Sequence, residues 1–353
     1  MAVDSRPTLT TSAASSGSVV WTVMAILVAI PVALPLLVVV AALLFPTTAV
    51  WSHLMQTVLL TYTVNTLGLM LIVAVLAASM GVGAAWLTAH YRFPGSGWLG
   101  VALILPLAAP AYVVGYVYAD LFDATGPVQG VLRSLAGVQL GDYYFPAIRS
   151  LGGAGIVIAL VLYPYVYLLA KTSFQSQAGA LYESARVLGV GRSQVFWRVA
   201  VPVARPAIIG GLALVMMETI ADYGVAEHFG VPTFTTGIFR TWYAMGEHDA
   251  ALKLAGCLFL LVAALVVLEQ SARRGERFNP LSRNVAAAKI PLSGTAGMLA
   301  AGLCLLPVLG GFIVPVGTLL WYAIAQGDPQ LGQDFYIYGL NSVSVAVVAA
   351  GVC

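Results

Sequence analysis

Glu218 and Asp222 stand four residues apart inside an apolar run, and Tyr223 follows directly. A spacing of four puts two side chains on one helix face. An acid at bilayer depth costs about 2.5–3.5 kcal/mol on insertion scales, so such groups usually face a polar route or an internal partner. Glu218, Asp222 and Tyr223 are therefore expected to line a route or gate, unless they are simply hydrated near the outer helix end. Tyr112, Tyr116 and Tyr118, and again Tyr163, Tyr165 and Tyr167, form alternate-residue sets. They suit an aromatic belt at the membrane interface. Their hard oxygens would also suit a ferric ion, but the residues assign no metal site.

Other chemistry is missing from the chain. It holds no Gly-x-x-x-x-Gly-Lys-Ser/Thr, and its lysines, Lys171, Lys253 and Lys289, never follow a glycine. A loop that cradles nucleotide phosphates is thus excluded. Neither a Ser/His/Asp order nor a His-Glu-x-x-His zinc pattern occurs. Cys257, Cys304 and Cys353 sit in apolar stretches without metal or disulfide spacing, and read as small buried hydrophobes. No catalytic residue and no cofactor bound by this chain is expected.

The elements that must position these residues are membrane helices. Hydrophobic residues make up 60% of the 353 and charged residues 8%, against about 25% charged in a soluble domain. The expected fold class is all-α, a polytopic transmembrane bundle of about eight spans. They are placed near 18–45, 57–89, 98–121, 150–171, 203–225, 252–270, 293–325 and 336–353. Residues 1–17, rich in Ser, Thr and Ala, read as a disordered cytoplasmic tail. The first run is too long for the core of a cleaved signal peptide, so 18–56 is taken as a retained span and external loop. Residues 57–271 form the main transmembrane domain, and 272–353 a linker with further spans. Gly152-Gly153 and Gly210-Gly211 predict close helix packing.

With the N-terminus inside, twelve of the sixteen Lys and Arg fall on the inner side. Arg133, Arg149, Arg240 and Lys253 fall outside. This positive-inside bias puts residues 176–203 in the cytoplasm. Asp120, Asp123, Asp142, Glu227, Glu247, Asp249, Asp328 and Asp334 collect on the external side, as solvated loop surface or as a docking face for a charged protein.

The 176–203 segment is polar and patterned. Leu181, Ala185 and Leu188 share one face of a short amphipathic helix. Glu183 stands in its first turn, where negative charge complements the helix dipole. Gly189 suits its left-handed end. A second helical piece carries Val195, Phe196 and Val199 toward Pro202, which suits the first turn of the next span. Arg186, Arg192 and Arg198 are left for water or a partner. Glu183-Ser184-Ala185, three residues, Gly189, nine residues, then Val199-Ala200-Val201-Pro202 resembles the EAA loop of bacterial ABC importer permeases. Ser184 replaces an Ala, Val199 an Ile and Val201 a Leu.

The run from Glu218 to Tyr243, and that from Leu306 to Pro315, resemble ferric-iron permeases of the same type I, binding-protein-dependent class. The resemblance covers most of residues 50–353. It implies two six-helix halves around a central path in the bacterial inner membrane. A periplasmic substrate-binding protein would deliver the cargo, and an ABC ATPase dimer using ATP and Mg would grip Glu183, Ser184, Ala185, Arg186, Gly189, Arg192, Val199 and Pro202. Ferric iron is the implied substrate. Thiamine, phosphonate and polyamine permeases share the architecture. An ion-coupled secondary transporter, using Glu218 and Asp222, is the reading from another class. The expected surroundings are lipid, with no nucleic acid.

Tyr62-x-x-Asn65-Thr and Tyr338-x-x-Asn341-Ser open similar spans, offset by 276 residues, the difference between 341 and 65. Parallel repeats are common in transporters. A second docking loop at the same offset would fall near residue 459. The expectation is a fused-repeat permease whose second half is cut short in this chain.

Overall fold

Leucine, valine and alanine dominate runs long enough to span a bilayer, and with no water to satisfy the backbone such runs must be helical. The computed structural model describes residues 16–44, 46, 48–176, 187, 189, 191–273, 289–325 and 333–352. Six described helical runs are long and apolar enough to cross a membrane: Trp21–Ala42, Leu59–His90, Leu151–Ser176, Phe196–Ala221, His248–Ser271 and Gly294–Ala325. A bent pair makes a seventh. The all-α expectation holds, and the strand pairing among the described residues is a two-residue parallel contact of Tyr91–Arg92 with Ile290–Pro291.

Leu59–His90, Leu151–Ser176 and Val201–Ala221 pack on one another at the centre. Glycine permits the approach. A Cβ on Gly81 would stand 2.8 Å from Val166 Cβ, and one on Gly211 would stand 2.8 Å from Val166 Cα. Two helices thus press closely on one residue of a third, as small-residue packing in membranes favours. Ala300, Cys304 and Val308 of the later Gly294–Val308 helix belong to the same buried core as Val73, Tyr163 and Val166. The outlying helix Ser16–Ala42 is exposed over most of its described length and is seated at its end, where Leu43 meets Gly256.

Several expected boundaries move. The tail expected over 1–17 gives way to helix at Ser16, and residues 1–15 lie outside the described residues. The span expected over 98–121 is a broken pair, Ser96–Ala108 and Ala111–Ala136, bent by 91°. Pro106 stands in a tight 3₁₀ turn over Leu105–Ala108, and Pro110 caps Ala111–Phe122 with ψ 131. Proline removes a backbone donor and pushes its predecessor out of the helical region, so the helix cannot run through. The span expected over 203–225 ends at Ala221. That expected over 336–353 is a helix, Gln333–Val352, exposed throughout its described side chains and outside the six spanning runs.

Two wide helical turns precede prolines. Over Phe196–Ala200 the N–H of Val201 donates to Phe196 O, just before Pro202. Over Leu309–Ile313 the N–H of Val314 donates to Leu309 O, just before Pro315. A proline ring crowds the carbonyl four residues back, and a five-residue hydrogen bond relieves it.

The tyrosine belt is corrected in part. Tyr163 and Tyr167, four residues apart on one helix face, are fully buried in the core, and Tyr165 between them is half-buried. Tyr112 and Tyr116 remain exposed.

Candidate functional site

Glu183, Ser184, Ala185 and Arg186, with the predicted helix face of Leu181 and Leu188, lie outside the described residues. Val187 is helical and exposed, and Gly189 turns with φ +80, the left-handed conformation expected of it. Arg192 opens a short helix, Arg192–Val195. Beyond it, Val195 is buried, Phe196 and Val199 are half-buried, and Trp197, Arg198 and Pro202 face outward. Pro202 stands in the first turn of Val201–Ala221.

An aromatic cluster seats this second arm of the loop on the bundle. The Phe196 ring lies 5.1 Å from Trp86, which meets His90 at 3.8 Å and Phe174 at 5.4 Å. Helices Leu59–His90 and Leu151–Ser176 therefore both feel the position of Phe196. Nothing in the spacing of single aromatics pointed to this cluster.

At the same end a polar network joins distant segments. Lys289 Nζ donates to Thr88 O at 2.7 Å. Lys171 Nζ donates to Tyr167 Oη at 2.7 Å and to Gly100 O at 3.1 Å. Thr88 Oγ1 lies 3.4 Å from Tyr167 Oη. The charge count placed Lys171 and Lys289 on one side of the membrane but could not bring them together.

Glu218 and Asp222 differ in setting, one within the helix and one at its C-terminal end. Glu218 is exposed on the helix, whereas Asp222 lies past its end with ψ 118. Its carboxylate accepts from the N–H groups of Val225 at 3.0 Å and Ala226 at 3.2 Å. Aspartate competes for backbone donors in this way and favours helix ends over helix interiors. Tyr223 stacks on Phe239 with ring centroids 4.2 Å apart, and Tyr243 continues the stack at 5.8 Å.

The opposite end carries a crevice of about 1030 Å³ between Tyr116, Asp120, Asp123, Arg149, His228 and Tyr322. Arg149 Nε meets Asp123 Oδ2 at 3.1 Å, and its Nη1 donates to His228 O at 3.0 Å. Tyr322 donates to Asp120, and Arg240 pairs with Glu227 at 3.4 Å. Three acids of the expected docking face are thus already engaged within the chain. Burial, and next the Arg149 guanidinium, holds the His228 imidazole below the ordinary histidine value. Among the described residues no three His, Cys, Asp or Glu side chains converge as a metal cluster.

Residues 77–270, more than half of the chain, match the family described as binding-protein-dependent transport system inner membrane component. The Fe(3+)-transport system permease protein FbpB 2 of Haemophilus influenzae is 25% identical over 213 residues, 60% of this chain and 37% of that protein. The molybdenum transport system permease protein ModB of Escherichia coli K12 is 28% identical over 226 residues, 62% of this chain and 93% of that protein. The sulfate transport system permease protein CysT of Salmonella typhimurium is 27% identical over 192 residues, 53% of this chain and 66% of that protein. This chain therefore spans little more than a third of the ferric permease and nearly all of the molybdenum permease. A chain in the crystal structure of a bacterial alginate ABC transporter, in complex with an alginate pentasaccharide-bound periplasmic protein, shares the fold. Its TM-score is 0.57 at 17% identity, over 72% of this chain and 94% of that one.

Proposed function

This chain belongs to the binding-protein-dependent transport system inner membrane components, and on that premise we propose that it is the permease subunit of a type I ABC importer. The observation that carries the reading is the family match, which spans the 183–202 loop, two of the three core helices and the second half of the third, Leu59–His90. The chain sits in the inner membrane as a multi-pass bundle with its N-terminus and the loop in the cytoplasm. A periplasmic binding protein delivers cargo to the far face. An ATPase dimer, with ATP and Mg, docks on the loop around Glu183, Ser184, Ala185, Arg186, Gly189 and Arg192.

Phe196 carries the mechanical coupling in this proposal. Movement of the docked loop shifts Phe196 against Trp86, and through Trp86 and Phe174 it reaches two core helices. Glu218 and Tyr223 remain the proposed path residues. Asp222 shapes the turn after the helix, so a proton-coupled role for it is less supported than a capping one.

Ferric iron is the proposed cargo, supported by the ferric permease relative and by the Glu218–Tyr243 run. An oxyanion is the second reading, favoured by the molybdenum and sulfate relatives.

The test is energised uptake in membrane vesicles with the cognate binding protein and ATPase. Glu183→Lys is expected to abolish ATP-driven uptake while the chain still inserts. Unchanged uptake, or uptake that follows an ion gradient and ignores ATP, counts against the permease reading. Uptake of labelled iron against labelled molybdate and sulfate separates the two cargoes.

A further inference from the structure

Three cations gather at the loop end of the bundle, and among the described residues no acid pairs with them. Strand pairing holds Arg92 beside Pro291, two residues beyond Lys289. Lys289 and Lys171 are tied into one network through Thr88 and Tyr167. Among the described residues the hydrogen-bond partners of both ammonium groups are neutral carbonyls or hydroxyls. An ammonium has three donors, so Lys171 keeps one and Lys289 keeps two. Arg92 is exposed, and among the described residues none of the three forms an ion pair.

The cations are close enough to feel one another. The Lys289 ammonium is held below the ordinary lysine value by burial first, and then by Lys171 and Arg92. Such a cluster attracts an anion, and its surroundings say which kind. It lies where the spanning helix Leu59–His90 ends. The next helix, Ser96–Ala102, turns Trp98 and Val101 outward, 59% and 66% exposed. Tryptophan at the end of a span marks headgroup depth.

An apolar groove of about 570 Å³ begins one turn after the paired strand. Thr295, Met298, Leu299, Gly302, Leu303 and Leu306 line it along the Gly294–Val308 helix. Cations at headgroup depth, beside a groove running along a membrane helix, match a phosphate joined to an acyl chain. Basic pockets between spans hold anionic lipid headgroups in this way.

We propose that Arg92, Lys171 and Lys289 bind the headgroup phosphate of an anionic phospholipid, whose acyl chain lies in the groove of Gly294–Val308. The lipid then clamps the Ile290–Ala325 segment to the first core, with Lys289 bridging the two. The proposal rests on the membrane reading above but not on cargo or ATPase.

The test is native mass spectrometry of the full chain in detergent, titrated with dioleoyl phosphatidylglycerol and dioleoyl phosphatidylcholine. Wild type is expected to prefer phosphatidylglycerol. At about 1 kcal/mol per cation near a membrane surface, Arg92→Gln with Lys289→Gln should weaken that lipid by about 30-fold. Arg92→Lys with Lys289→Arg should retain it, which separates charge from misfolding. Equal affinity of wild type for both lipids would overturn the proposal without any variant. So would displacement by millimolar inorganic phosphate together with equal binding of dihexanoyl phosphatidylglycerol, which would mark a plain anion site. Unchanged lipid affinity in the Gln pair, with loss of ATPase co-purification, would assign the cluster to an acidic protein surface. No ATPase is present in the lipid titration, so failure of the importer reading would leave it intact.

Discussion

Tyr118 donates its hydroxyl proton to the carbonyl oxygen of Gly310, 192 residues away in the chain. That carbonyl is without the two donors a continuous helix would bring to it. The N–H of Val314, which would ordinarily reach Gly310, bonds to Leu309 instead, and the next residue, Pro315, has no N–H. One proline thus creates a polar vacancy in an apolar setting, and a tyrosine from another helix fills it.

Tyr118→Phe is expected to destabilise the protein by about 1–3 kcal/mol, the cost of leaving an acceptor within an apolar span unpaired. Thermal unfolding in detergent measures it. Pro315→Ala returns an N–H to the helix, so the Tyr118→Phe penalty should shrink in that background. Strict additivity of the two changes would refute the account.

Gly211→Ala should cost about 1–3 kcal/mol by overpacking, since its Cβ would meet Val166 Cα, a backbone atom that cannot rotate away. Gly83→Ala has nothing within 4 Å and should be neutral or stabilising by up to about 1 kcal/mol. Opposite signs in one melting series are expected, and equal effects would contradict the geometry.

Asp222→Ala removes the acceptor for two backbone N–H groups and should cost about 1 kcal/mol, as helix caps do. Asp222→Asn keeps an acceptor oxygen and should retain most ATP-driven uptake. If Asp222→Asn abolishes uptake while melting like wild type, the carboxylate acts by its charge and the capping account is incomplete.

Phe196→Ala leaves the proposed ATPase-docking surface of the loop untouched and removes the contact with Trp86. ATPase co-purification should persist while uptake falls at least several-fold. Uptake at the wild-type rate would show that force does not travel through this ring.

His228 is held below the ordinary histidine value by burial and by Arg149. The unfolded chain then takes up its proton at higher pH than the folded one. His228 therefore contributes stability that is present above the ordinary histidine value and is lost as pH falls below it. A histidine-labelled NMR titration should show this low midpoint, and Arg149→Gln should raise it. A downward movement would contradict the role given to Arg149.

The spans were legible because each is a long run of Leu, Val, Ile and Ala, and length with apolarity is what a bilayer demands. Gly189 was legible because a helix stop needs the conformation only glycine adopts freely. Pro202 was placed in the first turn, but the wide turn before it was not foreseen. Spacing shows where an N–H is missing, not how the ladder rearranges. The capping role of Asp222 was not legible, because spacing does not show where the helix stops or which backbone donors the carboxylate takes. Tyr163 and Tyr167 misled because any tyrosine near a span reads as interfacial until its packing partners are known.

The chain's order alone determined the helical class, the approximate spans, the charge asymmetry and the spacing of the 183–202 loop. These follow from local rules: burial in lipid, backbone satisfaction and glycine or proline geometry. Tertiary structure decided what depends on segments far apart. It brought Lys289 to Thr88, Tyr118 to Gly310 and Phe196 to Trp86, and it folded the 294–325 helix into the first core. Such pairings depend on which surfaces fit at close range, and no spacing along one strand of sequence encodes that fit.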